Sequence, residues 1–394
     1  MSGCECKPAQ SAGAMAQNSE RRAQPVKRMK HRLLIRLFPA FLLLPLNLFG
    51  KCPISANGTL ELLAPAGNLV VDTTGTDSVE VEVSNRQVVL KETCGRDVVT
   101  VTATMPSGVT GLPDWKIRVP KGVSLDLSTQ GGSIQVADTD GRETKLRTSG
   151  GRVTAGAIKG NALILANEVR TGEIGGNAEV RGQGGKLQVG NVGGDVLFFS
   201  TGGDIATGIV KGRVKADTGS GSVTIRESSG DVIVTTQAGD ITSEYVHGAF
   251  DGKTDSGNIR IDRVGSWVHA VTGVGDIFFR LVPVNFASDL HIKAEAGIGD
   301  ITMYLPEKIS ATINAIVDKP ALKANAKRIF FDFPSKASTS GINAFKGLIP
   351  GGGTETPRSS FIGGPEQQQT IINSGANNVR AHTSAGTIRI YKGN

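Results

Sequence analysis

A glycine recurs every 18 residues through the middle of this 394-residue chain. An aliphatic residue follows each glycine two positions later. From the second glycine of the series onward, Ser or Thr also stands three positions before it. The glycine column is Gly185, Gly203, Gly221, Gly239, Gly257 and Gly275. The repeated unit is therefore [Ser/Thr]-x-x-Gly-[polar]-[Ile/Val], and composition alone does not readily produce one phase over six units.

Further copies of this unit stand outside the strict run, at Thr129 to Ile134, Thr148 to Val153 and Thr383 to Ile388. A half-period pattern is also present, because Gly194, Gly212, Gly230 and Gly248 lie midway between members of the main column. Each unit therefore contains two halves, each made of a short strand and a turn.

Alternating runs such as Val232–Val234 and Ile259–Ile261 favour strands. The glycine permits a corner with positive φ, and the hydroxyl side chain can form a local hydrogen bond at the turn. One unit cannot bury its apolar face alone, but stacking equivalent units at about 4.8 Å creates a continuous core. The repeat therefore predicts an all-β, single-chain β-solenoid with roughly 18-residue repeats. A β-sandwich of ordinary hairpins would not keep one phase over six units.

The flanking segments divide the folded part of the chain. Longer alternation over 57–127 predicts an N-terminal, hairpin-rich β cap, and the solenoid is expected over 128–317. Residues 318–370 lose the repeat and are rich in Gly and Pro, which predicts a mobile insertion. The motif then returns, so we expect 371–394 to form the closing solenoid strands.

The N-terminal region is typical of an exported protein. We interpret 1–28 as an over-extended start or disordered leader and 29–56 as a signal peptide region, with a basic head before the apolar stretch Leu37–Leu46. That stretch is shorter than the roughly 20 residues of a membrane span. The mature chain is expected to start near residue 51 or 57, outside the cytoplasm (periplasm, cell surface or secreted). An uncut signal anchor is the alternative, and it is the one route to membrane contact.

The charge is concentrated in the same region. The first 50 residues carry eight Lys or Arg against two Glu, which is six of the seven net positive charges of the chain. A nucleic-acid-binding protein would carry its excess positive charge on the folded domain, so nucleic acid is excluded as a partner.

If cleavage follows Gly50, two cysteines remain, Cys52 and Cys94. An even number in an oxidising compartment predicts a disulfide between them. Two unpaired thiols, or loss of Cys52 through cleavage after Ala56, are the alternatives.

One family shares these features. The run Pro120–Leu127, followed by Thr129 to Ile134 and by repeated Gly-Asp-Ile or Gly-Asp-Val, resembles the bacterial putative-adhesin family of extracytoplasmic β-strand-repeat (toast-rack-like) domains. The resemblance covers roughly 57–317 and the last 20 residues. It implies a non-enzymatic solenoid of the cell envelope with a role in adhesion or envelope-stress sensing, and it transfers no catalytic residues. The segment 318–370 departs from the family pattern.

A search for chemistry finds little. Carbohydrate-cleaving solenoids need paired carboxylates, and the strings Gly-Asp-Asp and Gly-His-Gly are absent from the sequence. The five histidines show no metal-binding spacing. The polar column Asp204, Asp240, Asn258 and Asp276 is interpreted mainly as spacing that avoids a ladder of like charges, with a calcium edge as a less favoured hypothesis. Only Trp115, Trp267 and three tyrosines are available as exposed aromatic platforms for a sugar, and Trp267 is assigned to packing rather than to ligand stacking.

The sequence thus favours a protein that is not an enzyme and needs no cofactor: an adhesin-like binding module, or an envelope scaffold or sensor. Its expected partner is an envelope protein or a cell-surface ligand. The alternative is a solenoid carbohydrate-active enzyme, a polysaccharide lyase or hydrolase.

Overall fold

The computed structural model describes residues 51–107, 111–318, 327–333 and 365–393. Every regular element of these residues is a strand, and the 32 strands form two sheets of 16 strands each. The all-β class is therefore confirmed. No helix of the described residues is long and apolar enough to cross a membrane. Residues 1–50, with most of the expected signal peptide, lie outside the described part.

Seven strands precede the regular repeat. They are β1 (Cys52–Pro53), β2 (Thr59–Ala64), β3 (Asn68–Gly75), β4 (Ser78–Val83), β5 (Val89–Cys94), β6 (Val98–Thr104) and β7 (Asp114–Pro120).

The regular region alternates between the two sheets. Its strands are β8 (Ser124–Thr129), β9 (Ile134–Val136), β10 (Glu143–Thr148), β11 (Arg152–Ala155), β12 (Asn161–Leu165), β13 (Glu168–Thr171), β14 (Ala178–Gly182), β15 (Leu187–Val189), β16 (Val196–Ser200), β17 (Ile205–Val210), β18 (Val214–Ser220), β19 (Val223–Ser228), β20 (Val232–Ala238), β21 (Ile241–Val246), β22 (Phe250–Ser256), β23 (Ile259–Val264), β24 (Val268–Val274), β25 (Ile277–Leu281), β26 (Ile292–Ile298) and β27 (Ile301–Pro306).

Five strands follow. They are β28 (Ala311–Val317), β29 (Ile329–Phe331), β30 (Glu366–Ile372), β31 (Asn377–Ala385) and β32 (Ile388–Gly393).

Each coil of the regular region places one strand in each sheet. The odd-numbered strands from β9 to β27 belong to sheet I and the even-numbered strands from β8 to β26 to sheet II, and all of them pair in parallel. The pairing joins residues one repeat apart, as in Val223 to Ile241 and Ile241 to Ile259. The sequence period is thus the coil of the solenoid, and the predicted β-solenoid is confirmed.

The core lies between the two sheets. Alternate side chains of each strand face inward, and Val223, Ile241 and Ile259 are fully buried. Burying one such side chain contributes about 1.5–3 kcal/mol. A single apolar cluster extends from Cys52 to Ile390, so the stacked units share one core as the repeat requires.

At the N-terminal end the coils do not follow chain order. The coil β2–β3 lies between the coil β6–β7 and the coil β8–β9, and it pairs in parallel with both. Antiparallel pairs β1–β4, β4–β7 and β5–β6 cover this end. The region predicted as a hairpin-rich cap therefore contains one hairpin, β5–β6, and also true coils.

The C-terminal end has the same arrangement. The coil β31–β32 lies between β26–β27 and the pair β28 and β29, while β30 runs antiparallel along the outer side of β28. The strands expected to close the solenoid therefore form its next-to-last coil. β29 and most of β30 fall within the predicted insertion 318–370, of which 319–326 and 334–364 lie outside the described residues.

Candidate functional site

The glycine column forms one corner of each coil from β14–β15 to β24–β25. Gly203, Gly221, Gly239, Gly257 and Gly275 have φ between 90° and 149°, whereas Gly185 is outside this conformation. A Cβ on Gly239 would overlap the carbonyl of Gly221 in the preceding coil. These glycines thus serve the close stacking of backbones.

The hydroxyl column completes the same corner. The Oγ1 of Thr254 donates to the carbonyl of Gly239 at 3.1 Å, and the Oγ1 of Thr272 donates to that of Gly257 at 2.8 Å. These Thr side chains are buried. The motif is therefore explained by hydrogen bonds between successive coils, and it provides no group for a ligand.

The polar column is also engaged in stacking. An Oδ1 of Asp204, Asp240 or Asn258 accepts the backbone N–H of the next coil at 2.7–2.9 Å, and Asp276 accepts that of Asp300 at 2.7 Å. One side-chain oxygen of each of these residues is thus hydrogen bonded to the backbone. In the described residues, the group of side chains close enough to share a metal ion is Cys52, Glu92 and Cys94, whose two cysteines are bonded to each other.

The disulfide between Cys52 and Cys94 has a Cα–Cα distance of 5.2 Å. It joins the edge strand of sheet I, β1, to the edge strand of sheet II, β5. Closing a loop of 42 residues stabilises by about 4 kcal/mol in the chain-entropy model. Glu92 lies beside it, and burial raises the pKa of its carboxyl group.

Each tryptophan is engaged within the fold. Trp115 is fully buried and its indole Nε1 donates to the carbonyl of Ala66 at 3.0 Å. Trp267 stacks on His291, with ring centroids 5.2 Å apart.

A different set of aromatic side chains is gathered on the outer face of sheet I. We call it the aromatic–cation strip, and it includes all three tyrosines of the chain. It consists of Tyr245, Arg260, Arg263, Phe278, Arg280, Tyr304, Lys327, Phe330, Arg389 and Tyr391.

The register of sheet I builds the strip in two columns. In one, Arg280 of β25 pairs with Tyr304 of β27, and Tyr304 pairs with Tyr391 of β32. In the other, Arg260 pairs with Phe278, and Arg389 pairs with Phe330 further along. Because neighbouring coils stack in register, side chains distant in sequence become adjacent on one face.

A cationic side chain lies over most of the aromatic rings of the strip. The guanidinium carbons of Arg260 and Arg263 lie 4.4 Å from the ring centroids of Phe278 and Tyr245. That of Arg280 lies 5.2 Å from the Tyr304 ring. The ammonium of Lys327 lies 5.6 Å from Phe330, whose exposed fraction is 39%. Such cation–π contacts hold flexible cationic side chains in place.

Three of these cations, Arg263, Arg280 and Lys327, have no carboxylate within ion-pair distance among the described residues. The other two arginines are paired, Arg260 with Asp262 and Arg389 with Asp300, each at 2.7 Å. The strip therefore has unpaired positive charge beside exposed aromatic surface.

The outer face of sheet II differs. It contains a shallow groove of about 620 Å³ whose apolar side chains are Leu163, Leu197 and Ile233. Four acidic and two basic side chains line this groove, and Arg213 pairs with Asp195 at 3.2 Å. The surplus of acidic side chains does not favour an anionic ligand.

Sequence reasoning noted the scarcity of exposed aromatic residues but did not find the strip. The 18-residue period could have aligned Tyr245 with Arg263. Tyr391 could not be aligned in this way, because its coil pairs with one 87 residues earlier in the chain, as Thr302 to Arg389 shows.

No protein-family model matches the chain, and no curated protein matches it. Among solved structures, the chain is similar to one described as a putative cell adhesion protein from Clostridium sporogenes, at 10% identity and a TM-score of 0.15, covering 87% of this chain and 98% of that one. It is also similar to one described as a putative adhesin from Parabacteroides distasonis, at 14% identity and a TM-score of 0.22, covering 64% and 95%. The fold assignment itself rests on the strand pairing of this chain.

Proposed function

We propose that this chain is a non-enzymatic, extracytoplasmic binding module with an adhesin-like role, and that it binds its ligand through the aromatic–cation strip. The strip is the observation that carries the proposal. Tyr and Arg are enriched at binding surfaces, where they supply large contact areas and directed hydrogen bonds.

The solenoid favours binding because it holds the strip rigidly. Every strand under the strip pairs on both sides, except β29 at the edge of sheet I. Rigid side chains lose less conformational entropy when a ligand binds, and the cation–π contacts restrict the guanidinium groups further. A preformed surface of this kind suits recognition of an extended ligand.

The carboxylates support binding rather than catalysis. The acids with a lowered pKa are held by hydrogen bonds, most of them from Lys, Arg or His partners: Asp72, Glu80, Asp140, Asp195, Asp289 and Asp318. The acid with a raised pKa, Glu92, lies beside the disulfide. A glycosidase would instead need two carboxyl groups facing each other across a cleft. Turnover of a polysaccharide that is lost in Asp240→Ala or Asp276→Ala would instead support the enzyme alternative.

Export is part of the proposal, and the first described residues belong to the fold. Lys51 pairs with Glu80 at 2.7 Å, Cys52 is buried, and β1 pairs with β4. Cleavage after Ala56 would remove β1 and half of the disulfide, so we expect the exported chain to begin at Lys51. Intact-mass measurement of the exported protein tests this, and a chain beginning at Asn57 or retaining residues 30–50 would contradict it.

The binding function is tested with the exported chain and envelope fractions of a bacterial host. We expect Arg280→Glu combined with Tyr391→Ala to abolish sedimentation with the fraction, because both change the strip. Arg181→Ala is a matched control, since Arg181 lies 5.0 Å from the Phe199 ring on the opposite sheet. Unchanged melting temperatures would show that all variants are folded. Equal binding by the strip variant and the control would refute the proposed site.

A further inference from the structure

We propose that the aromatic–cation strip binds an acidic polysaccharide, a linear chain of sugar rings with carboxylate groups, lying along the solenoid axis. This inference rests on the proposed function and specifies the class of its ligand.

The first argument is the spacing of the strip. Arg280, Tyr304 and Tyr391 occupy three successive strands of sheet I and are paired directly in its register. Neighbouring strands are about 4.8 Å apart, a step similar to the length of one pyranose residue. A polysaccharide along the axis therefore meets one side chain of the column for each sugar.

The second argument is charge complementarity. Arg263 and Arg280 have no carboxylate partner among the described residues, and each is held over an aromatic ring. A guanidinium group binds a carboxylate through two parallel hydrogen bonds, and an oriented guanidinium loses little freedom in doing so. The carboxylates repeated along a polymer would form such hydrogen bonds with these two guanidinium groups one after the other.

The third argument is the free aromatic surface. Tyr391 has no cation over its ring among the described residues, and its centroid is 5.2 Å from that of Tyr304. A tyrosine offers an apolar ring face together with a hydroxyl that can form a hydrogen bond. The C–H face of a sugar ring matches the first, and its hydroxyl groups match the second.

Two acids paired with arginines of the strip favour a sugar as the ligand. Asp262 and Asp300 pair with Arg260 and Arg389, and their carboxylate oxygens can accept hydrogen bonds from the hydroxyl groups of a sugar. A surface for anionic lipid is usually a cluster of four to eight adjacent Lys or Arg. The mixed charge of the strip favours a carboxylated sugar polymer.

Calorimetry with polygalacturonate oligosaccharides and the exported chain tests the proposal. We expect saturable binding that weakens as salt is raised, because exposed charges are screened. Carboxyl-reduced oligosaccharides, which keep the rings and lose the charge, should not bind. Arg280→Ala should weaken binding about tenfold, the usual effect of one charge-assisted hydrogen bond. Tyr391→Ala should weaken it as well, and Arg181→Ala should not.

Three outcomes would overturn the inference. The first is that the carboxyl-reduced oligosaccharide binds as tightly as the uronate, and the second is that Arg181→Ala weakens binding as much as Arg280→Ala. The third is that no uronate binds while phosphatidylglycerol vesicles bind in a way that depends on Arg280. If uronate binding fails while envelope sedimentation still depends on the strip, the ligand class is wrong and the proposed function stands. If sedimentation is also independent of the strip, the proposed function fails.

Discussion

At the scale of single residues, three side-chain types build one corner of each coil. The glycine adopts a positive φ and allows the backbones to approach, as at Gly239. The threonine three residues before a glycine donates to the glycine carbonyl of the preceding coil, as Thr254 does to Gly239. The polar residue after the glycine accepts a backbone N–H of the next coil, as Asp240 does from Asn258. Each contact crosses one coil boundary, so the motif specifies stacking.

Gly239→Ala tests the glycine. We expect a destabilisation of at least about 1 kcal/mol, because alanine is strained at this φ of 142° and its Cβ would overlap the Gly221 carbonyl. Gly150→Ala is the control, since a Cβ there has open space around it. Thermal unfolding should show a lower melting temperature for the first variant alone. Equal melting temperatures would refute the close-approach role. Gly352, for which the sequence predicts a negligible effect, lies outside the described residues.

Thr254→Val tests the hydroxyl. Valine keeps the shape and removes the donor to Gly239, so we expect a loss of about 1 kcal/mol. The control is Thr144→Val, because the Oγ1 of Thr144 is buried and has no hydrogen-bond partner. Removing that unsatisfied hydroxyl should be neutral or stabilising. Chemical unfolding compares the two variants, and a larger loss for Thr144→Val would contradict this account.

At the scale of elements, the inserted coil β31–β32 is tied to β28 by side chains as well as by the sheet. The Nε2 of His382 and the Oγ of Ser384 lie 2.9 Å from Oδ2 of Asp318, the residue just after β28. The backbone N–H of Asp318 also donates to the carbonyl of Thr383 at 3.1 Å. Hydrogen bonds from His382 and Ser384 hold the pKa of the Asp318 carboxyl below its usual 3.8.

This lowered pKa predicts a dependence of stability on pH. The folded chain stabilises ionised Asp318, so its contribution is complete above about pH 4 and is lost as the pH falls through the lower folded-state pKa. We expect the melting temperature of Asp318→Asn to lie below that of the unchanged protein at pH 6. The difference should shrink toward pH 2. A difference that stays constant over this range would show that the Asp318 charge does not contribute.

At the scale of the whole molecule, the first and last coils of the described chain are both inserted between other coils. β2–β3 has partners on both sides, and so has β31–β32. A simple solenoid would leave its terminal coils at the ends of the stack, with one open side each. Three of the four outermost strands, β5, β29 and β30, come from segments nearer the middle of the chain, and β1 is the fourth. Pairings of high sequence separation are expected to slow folding.

Truncation after Ala376 tests the role of the inserted coil. Removing β31 and β32 takes away the shared partner of β26 and β28 and that of β27 and β29. We expect hydrogen exchange to show lost protection in the strands that paired with the removed coil, which are β26, β27, β28 and β29. Coils around Ile241 should stay protected, because each coil contacts mainly its neighbours. Unchanged protection of β28 would show that the inserted coil is dispensable.

The sequence by itself determined the coil. The residues that form a corner interact with equivalents one repeat away, as Thr236 does with the Gly221 carbonyl at 3.1 Å, so the period and the identity of inward residues such as Ile241 could be predicted. The disulfide partners could be proposed by counting, whereas their position joining the edges of both sheets could not. Tertiary structure alone decided the order of the terminal coils, because β26 and β27 pair with strands more than 80 residues later and no local pattern encodes that choice. The same pairing places Tyr391 beside Tyr304, so the candidate site exists only once the last coil is inserted.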